Sequence, residues 1–92
     1  MEIGQLIVKT PGTCGGRARI AAKRIPVSSV YRWFLRGCEP EDILQKFDGV
    51  VLAEIYAAIS YALSNLDEIT GEIEREDRLG AQASQTAVVS AA

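Results

Sequence analysis

The residues with the most chemistry to offer here are basic and lie early in the chain. In TPGTCGGRARIAAKRIPV, residues 10–27, three glycines fall within five positions, and Arg17, Arg19, Lys23 and Arg24 follow within eight. Arg32 and Arg36 come next, four residues apart. Clustered cations of this kind contact phosphates, so these six are the candidates for nucleic-acid binding. The glycines raise a different possibility, a loop that cradles a phosphate. A P-loop requires G-K-[ST] opening a helix, and a dinucleotide fingerprint requires G-x-G-x-x-G. Neither pattern is written in this chain.

Catalysis is poorly provided for. There is no histidine, and the two cysteines are Cys14 and Cys38. Without imidazole, serine–histidine–aspartate and cysteine–histidine catalysis are excluded. Two cysteines alone are too few for a zinc site, and a reduced pair is expected. The expectation is therefore a binding protein, not an enzyme, with no cofactor and no metal. No apolar run approaches the ~18–20 residues of a membrane span, and MEIGQLIVK lacks the layout of a signal peptide. A soluble, cytoplasmic protein is expected.

Charge divides the chain sharply. Residues 1–38 carry seven basic side chains against one acidic, net +6, while residues 39–92 carry three against eleven, net −8. Three arrangements fit such halves. The basic half meets an anionic partner, two protomers meet through opposite faces, or the halves pair within one chain.

The elements that position these residues are mainly helical. Leu6-Ile7-Val8 reads as a short strand ended by Thr10-Pro11-Gly12, and Arg19-Ile20 and Arg24-Ile25 as further short strands. Val27, Val30, Tyr31, Phe34 and Leu35 form one stripe of a first helix, with Pro26 at its start and Gly37 past its end. Its opposite face carries Ser29, Arg32, Trp33 and Arg36. Glu39-Pro40-Glu41-Asp42 opens a second, short helix that turns Ile43, Leu44 and Phe47 inward. A third stripe, Leu52, Ile55, Tyr56, Ile59, Leu63, Leu66, Ile69 and Ile73, is one long helix or two bent near Ser64-Asn65. Ala53, Glu54, Ala57, Tyr61 and Glu68 are expected on its outer face. Residues 1–79 read as one domain, and residues 80–92, small and uncharged, as a disordered tail.

Trp33 and Tyr61 are thus expected to be exposed, which points to a protein interface and a homodimer or larger homo-oligomer. Arg75 and Arg78, on the acidic amphipathic segment Asp67–Leu79, are the further interface candidates, placed to enter a partner's groove. The third helix has no cation near its N-terminus, which argues against its docking in a DNA major groove.

Several of these motifs together resemble a known family. Gly15-Gly16-x-x-Arg19-Ile20, Arg24-Ile25-Pro26-Val27, Gly37 before the acidic short helix, and Ala57-Ala58-x-x-Tyr61-Ala62 are similar to the bacterial family called domain of unknown function 433. The likeness spans about Leu6 to Glu74. It implies a small helical protein with a helix-turn-helix-like core, similar to antitoxins encoded beside a PIN-type nuclease toxin. Two roles are implied with it, neutralising the toxin and binding operator DNA. A self-assembling structural or adaptor protein without a nucleic-acid role is the alternative. The chain departs from the family pattern at Ala18, Ala22-Lys23, Glu39, Val51 and Asn65-Leu66. The missing cap at Val51 predicts a loose start to the third helix, and Asn65-Leu66, in place of His-Pro, predicts helix continuity.

Overall fold

The structure, a computed structural model, describes the backbone of residues 5–91 and the side chains of residues 5–81. Two short strands, β1 (Ile7–Val8) and β2 (Arg19–Ile20), pair antiparallel with Ile7 opposite Ile20 and Val8 opposite Arg19. Four helices follow: α1 (Val27–Leu35), α2 (Pro40–Leu44), α3 (Leu52–Ser64) and α4 (Leu66–Ala91). The fold is the expected one, mainly helical with a short N-terminal hairpin.

A ribbon this short is marginal by itself. Ile20 and Ala18 hold it by burying in the helical core. Between the strands, Cys14, Gly15 and Gly16 make a 3-10 turn in which Gly15 and Gly16 take φ of 65° and 79°. Glycine reaches this left-handed region without the steric cost of a Cβ. Arg24-Ile25 forms no strand, contrary to expectation. The Ile20 amide instead donates to the Ile25 carbonyl at 3.0 Å and the Val27 amide to the Ala18 carbonyl at 2.9 Å, doubling the chain back on β2. That turn sets Pro26 as the cap of α1, with its φ of −65° already compatible with the helix.

Along α1, Val27, Val30 and Tyr31 are buried as expected, but Leu35 is 60% exposed. Eight residues on at 100° each, Leu35 lies about 80° off the stripe begun by Val27. The buried face of α3 is also turned from the expected one. Ile55, Ala58, Ile59 and Ala62 face the core, whereas Tyr56, Leu63 and Leu66 are about half exposed. Ala57, placed outside by the sequence pattern, is buried. Small alanines let α1 and α3 approach closely, so residue size misreads the inward face.

Glu54 is a further correction, since it is buried and not on the outer face. Its Oε1 accepts a hydrogen bond from the Val51 amide at 2.9 Å. This is the glutamate half of a capping box; valine has no side-chain oxygen for the other half. The α3 start is thus fixed from inside the helix and not loose.

Helix continuity past Ser64 also fails. Asn65 leaves helical geometry (φ −137°, ψ 50°), and its Nδ2 donates to the Tyr61 carbonyl at 2.9 Å, closing the end of α3. Its own carbonyl accepts from the Ile69 amide and opens α4. Helical backbone then runs through Ala91, past the expected domain end at residue 79. No proline stops it, and alanine and glutamine favour helix. The expected disordered tail lies, from residue 82 on, outside the described side chains.

Ile55 is fully buried in the cluster formed by Ile20, Val27, Val30, Ile43, Ala58 and Ile69. Replacing it with alanine should cost about 2–5 kcal/mol, read as a lower denaturation midpoint at unchanged slope in urea.

Candidate functional site

The candidate cations divide into two groups once their partners are known. Arg17 donates through Nε to the Cys14 carbonyl at 2.8 Å and through Nη1 to the Glu76 carboxylate of α4. Arg32 reaches the same carboxylate from α1, at 3.1 Å from Nη2, and also Asp77 at 2.9 Å and the Ile73 carbonyl at 3.3 Å. Ser28, itself buried, donates to Glu76 at 3.0 Å. One carboxylate therefore joins the glycine turn, α1 and α4.

Arg19 is also turned inward. Its Nη1 donates to the carbonyls of Ala21 at 2.7 Å and Lys23 at 3.1 Å, and its Nη2 to Thr10 Oγ1 at 3.1 Å. It organises the β2–α1 turn. Lys23 lies over Gly49, where an added Cβ would come within 3.1 Å of its Nζ. Arg24 and Arg36 are exposed. The six sequence candidates thus do not form one basic surface. Arg17, Arg19 and Arg32 are structural, and the four ion pairs among the described residues all run from the basic half to the acidic half.

Trp33 and Tyr61 are half-buried, against expectation. Trp33 packs at the edge of the core. The Arg36 guanidinium lies 5.0 Å from its ring centre and the Lys46 ammonium 4.6 Å, both as cation–π contacts. Tyr61 donates to the Glu68 carboxylate at 2.9 Å, and Lys9 donates to Glu68 at 3.0 Å. Among the described residues the large apolar side chains that are exposed are instead Leu35, Val51, Tyr56, Leu63, Leu66 and Leu79. Helical-wheel position misplaced the aromatics because neighbouring elements fold over them. Arg75 and Arg78 are exposed on α4.

The family model for the Protein of unknown function DUF433 matches residues 7–62. The chain belongs to the DUF433 family. A solved DUF433 member protein from Anabaena variabilis is 34% identical, with a TM-score of 0.70 over 76% of this chain and 69% of that one. No curated protein matches. The family segment includes the glycine turn, α1, α2 and most of α3, but ends before α4. The acidic partners that hold this DUF433 chain's arginines therefore lie outside the matched segment.

Between the glycine turn and α4 lies an open cleft of about 330 Å³, lined by Lys9, Gly15, Gly16, Arg17, Asp67, Glu68, Gly71, Glu72 and Arg75. Glu72 is 8% exposed, and its Oε2 is buried with no hydrogen-bond partner. Burial raises its pKa above the usual carboxylate value, with the charge of Glu68 adding to the effect. No motif signalled this residue. The sequence shows only one acid among many in α4. Among the described residues no group of three or more acids, cysteines or histidines is arranged for a metal ion, and both cysteines are free.

Two expectations follow. Glu76→Ala should destabilise the fold by about 2 kcal/mol, because two arginines and a buried serine lose one acceptor, while Glu74→Ala on the exposed side should change it by under ~0.5 kcal/mol. Paired urea titrations measure both. For Glu72, a raised folded-state pKa means that the native state holds its proton more tightly than the unfolded chain. Stability is then lost as pH rises from the ordinary glutamate range through the folded pKa. Glu72→Gln should remove that loss, so its melting temperature should gain on the native chain's from pH 4 to pH 7.5. A constant difference across that range would contradict the assignment.

Proposed function

We propose that this DUF433 protein is an antitoxin-like binding protein that works first by capturing a protein partner. The observation that carries the reading is the projecting end of α4. Over residues 66–77 the helix is tied down through Ile69, Ile73 and Glu76, but Arg78, Leu79, Gly80 and Ala81 are all exposed. Leu79 is 59% exposed, with Arg75 and Arg78 close by in the same helix. A helix of 26 residues is about 39 Å long, and the molecule measures 52 Å along its longest axis against 29 and 25 Å across. An apolar residue beside cations on a helix end suits insertion into a partner's groove. A PIN-type nuclease, with its acidic metal-binding site, is the class of partner that the family resemblance suggests, and Arg75 and Arg78 are the side chains offered to it.

Operator binding is the weaker half of the proposal. It rests on the exposed Arg24, Arg36 and Lys46, since Arg17, Arg19 and Arg32 are held internally. At the N-terminal end of α3, Val51, Ala53 and Tyr56 are exposed; Val51 and Ala53 offer no phosphate contact, and the Tyr56 hydroxyl donates to the Glu41 carboxylate at 3.4 Å. Self-assembly is the second reading, favoured by the exposed Tyr56, Leu63 and Leu66.

Co-expression with the product of the neighbouring gene tests the main reading. A co-purifying complex and relief of toxicity are expected. Leu79→Asp with Arg78→Glu should weaken the complex at least tenfold without lowering the melting temperature. Absence of both complex and relief would remove the antitoxin reading. A mobility shift on the chain's own upstream DNA tests the second half, and no shift at low salt from a stably oligomeric protein would leave only self-assembly.

A further inference from the structure

The cleft between the glycine turn and α4 has two features that its internal packing does not explain. The first is Gly71. It lies inside α4, where glycine costs roughly 0.5–1 kcal/mol relative to alanine, yet a Cβ built there meets nothing within 4 Å. Its φ is not in the left-handed region either. Neither close packing nor backbone geometry calls for glycine at this point. What it does is leave the cleft floor open. The second is Glu72, the next residue, more than nine-tenths buried with Oε2 unpartnered. Among the described residues Arg19 Nε is the other buried side-chain atom without a partner, and Arg19 does not line this cleft; an orphan beside an open cleft points to an absent partner.

The charges around the cleft say which partner. Lys9 is paired with Glu68, and Arg17 with Glu76. That leaves Glu72 and the exposed Asp67 against the exposed, mobile-length side chain of Arg75, which can turn to solvent. The charges left over in the cleft favour a cation. An anion would face Glu72 and Asp67 directly, with the two nearer cations already engaged.

The geometry points to a receptor site for a basic side chain of a protein partner. An arginine or lysine stem would lie over Gly71 and against Gly15-Gly16, with its charged head met by the Glu72 carboxylate as that side chain turns its shielded Oε2 toward the cleft, and with Asp67 at the rim. A guanidinium offers several donors in a planar fork and suits a carboxylate best. The inference rests on the protein-binding reading above but uses a different surface. The end of α4 would insert into the partner, and the cleft would receive a side chain from it.

The test is a titration of the full chain, observed through the amide resonances of Gly15, Gly16 and Gly71. The probes are acetyl-Gly-Arg-Gly-amide, the same peptide with citrulline in place of arginine, agmatine, and inorganic phosphate. The arginine peptide should move all three resonances saturably, and the citrulline peptide should not. Glu72→Gln should weaken the arginine peptide at least tenfold while keeping a dispersed native spectrum. Gly71→Ala should also abolish binding, yet raise the melting temperature, because alanine favours helix and meets open space. A loss of binding in a more stable variant cannot be ascribed to unfolding. The inference is overturned if the arginine peptide moves nothing, if citrulline serves equally, or if phosphate moves the same resonances. Agmatine binding more tightly than the peptide would overturn it in favour of a free amine. If Glu72→Gln leaves peptide binding unchanged, the assigned counter-ion is wrong. Co-purification separates the two proposals, since a complex that forms without peptide binding refutes the cleft alone, and peptide binding without a complex refutes the partner reading alone.

Discussion

The Glu76 carboxylate is the contact on which the arrangement of this protein most depends. It accepts from Arg17 beside the glycine turn, from Arg32 on α1, and from Ser28 at the buried start of α1. The hairpin is too short to stand alone, and among the described side chains of α4 only Ile69 and Ile73 are apolar residues packed in the core. A half-buried, charge-assisted cluster is what joins these two weak elements to the α1–α3 core. Once Glu76 is in place, the direction of α4 is set. So is the cleft between α4 and the glycine turn.

This cluster also changes the meaning of the charge asymmetry. Seven basic residues near the start of a chain look like a surface for an anionic partner, but three of them, Lys9, Arg17 and Arg32, have that partner within the molecule. Arg19 spends its Nη groups on the backbone carbonyls of its own turn and on Thr10, a role that formal charge does not predict. What faces solvent is a smaller set around Trp33 and at the β2–α1 turn. A charge count thus gives the total field and not the exposed one, and the difference is set by which helix folds over which.

Much of the fold was legible because it follows from local rules. Pro26 and Gly37 bracket α1, Pro40 with its acids opens α2, and the Leu6–Val8 run gives β1. What failed was the distinction between faces. Tyr56, Leu63 and Leu66 fit the helical stripe as well as Ile55 and Ile59 do, and only close packing through Ala58 and Ala62 decides between them. Asn65 was misread for a related reason. Its side chain can cap the preceding helix, a local alternative to helical continuation that apolar periodicity does not register. The candidate site was less legible still. Arginines are visible in sequence, but Glu76 and Glu72 are two similar acids on one helix, one meeting three donors and the other leaving an oxygen bare.

That contrast between neighbouring acids shows where binding and stability separate in this molecule. Glu76 and Glu72 lie one helical turn apart on α4, and both face the glycine turn. Arg17 bonds Glu76 and the Cys14 carbonyl and makes no hydrogen bond to Glu72, which feels only its charge. A more stable design would fill Gly71 with alanine and replace Glu72 by an apolar residue of similar volume, since an unpaired buried carboxyl is costly. The chain keeps the helix-weakening glycine and the unsatisfied acid side by side, next to the Gly15-Gly16 turn. Local rules are obeyed closely at Pro26, Gly37 and Pro40 and broken twice at one place, and such conflicts tend to collect where a protein meets something other than itself.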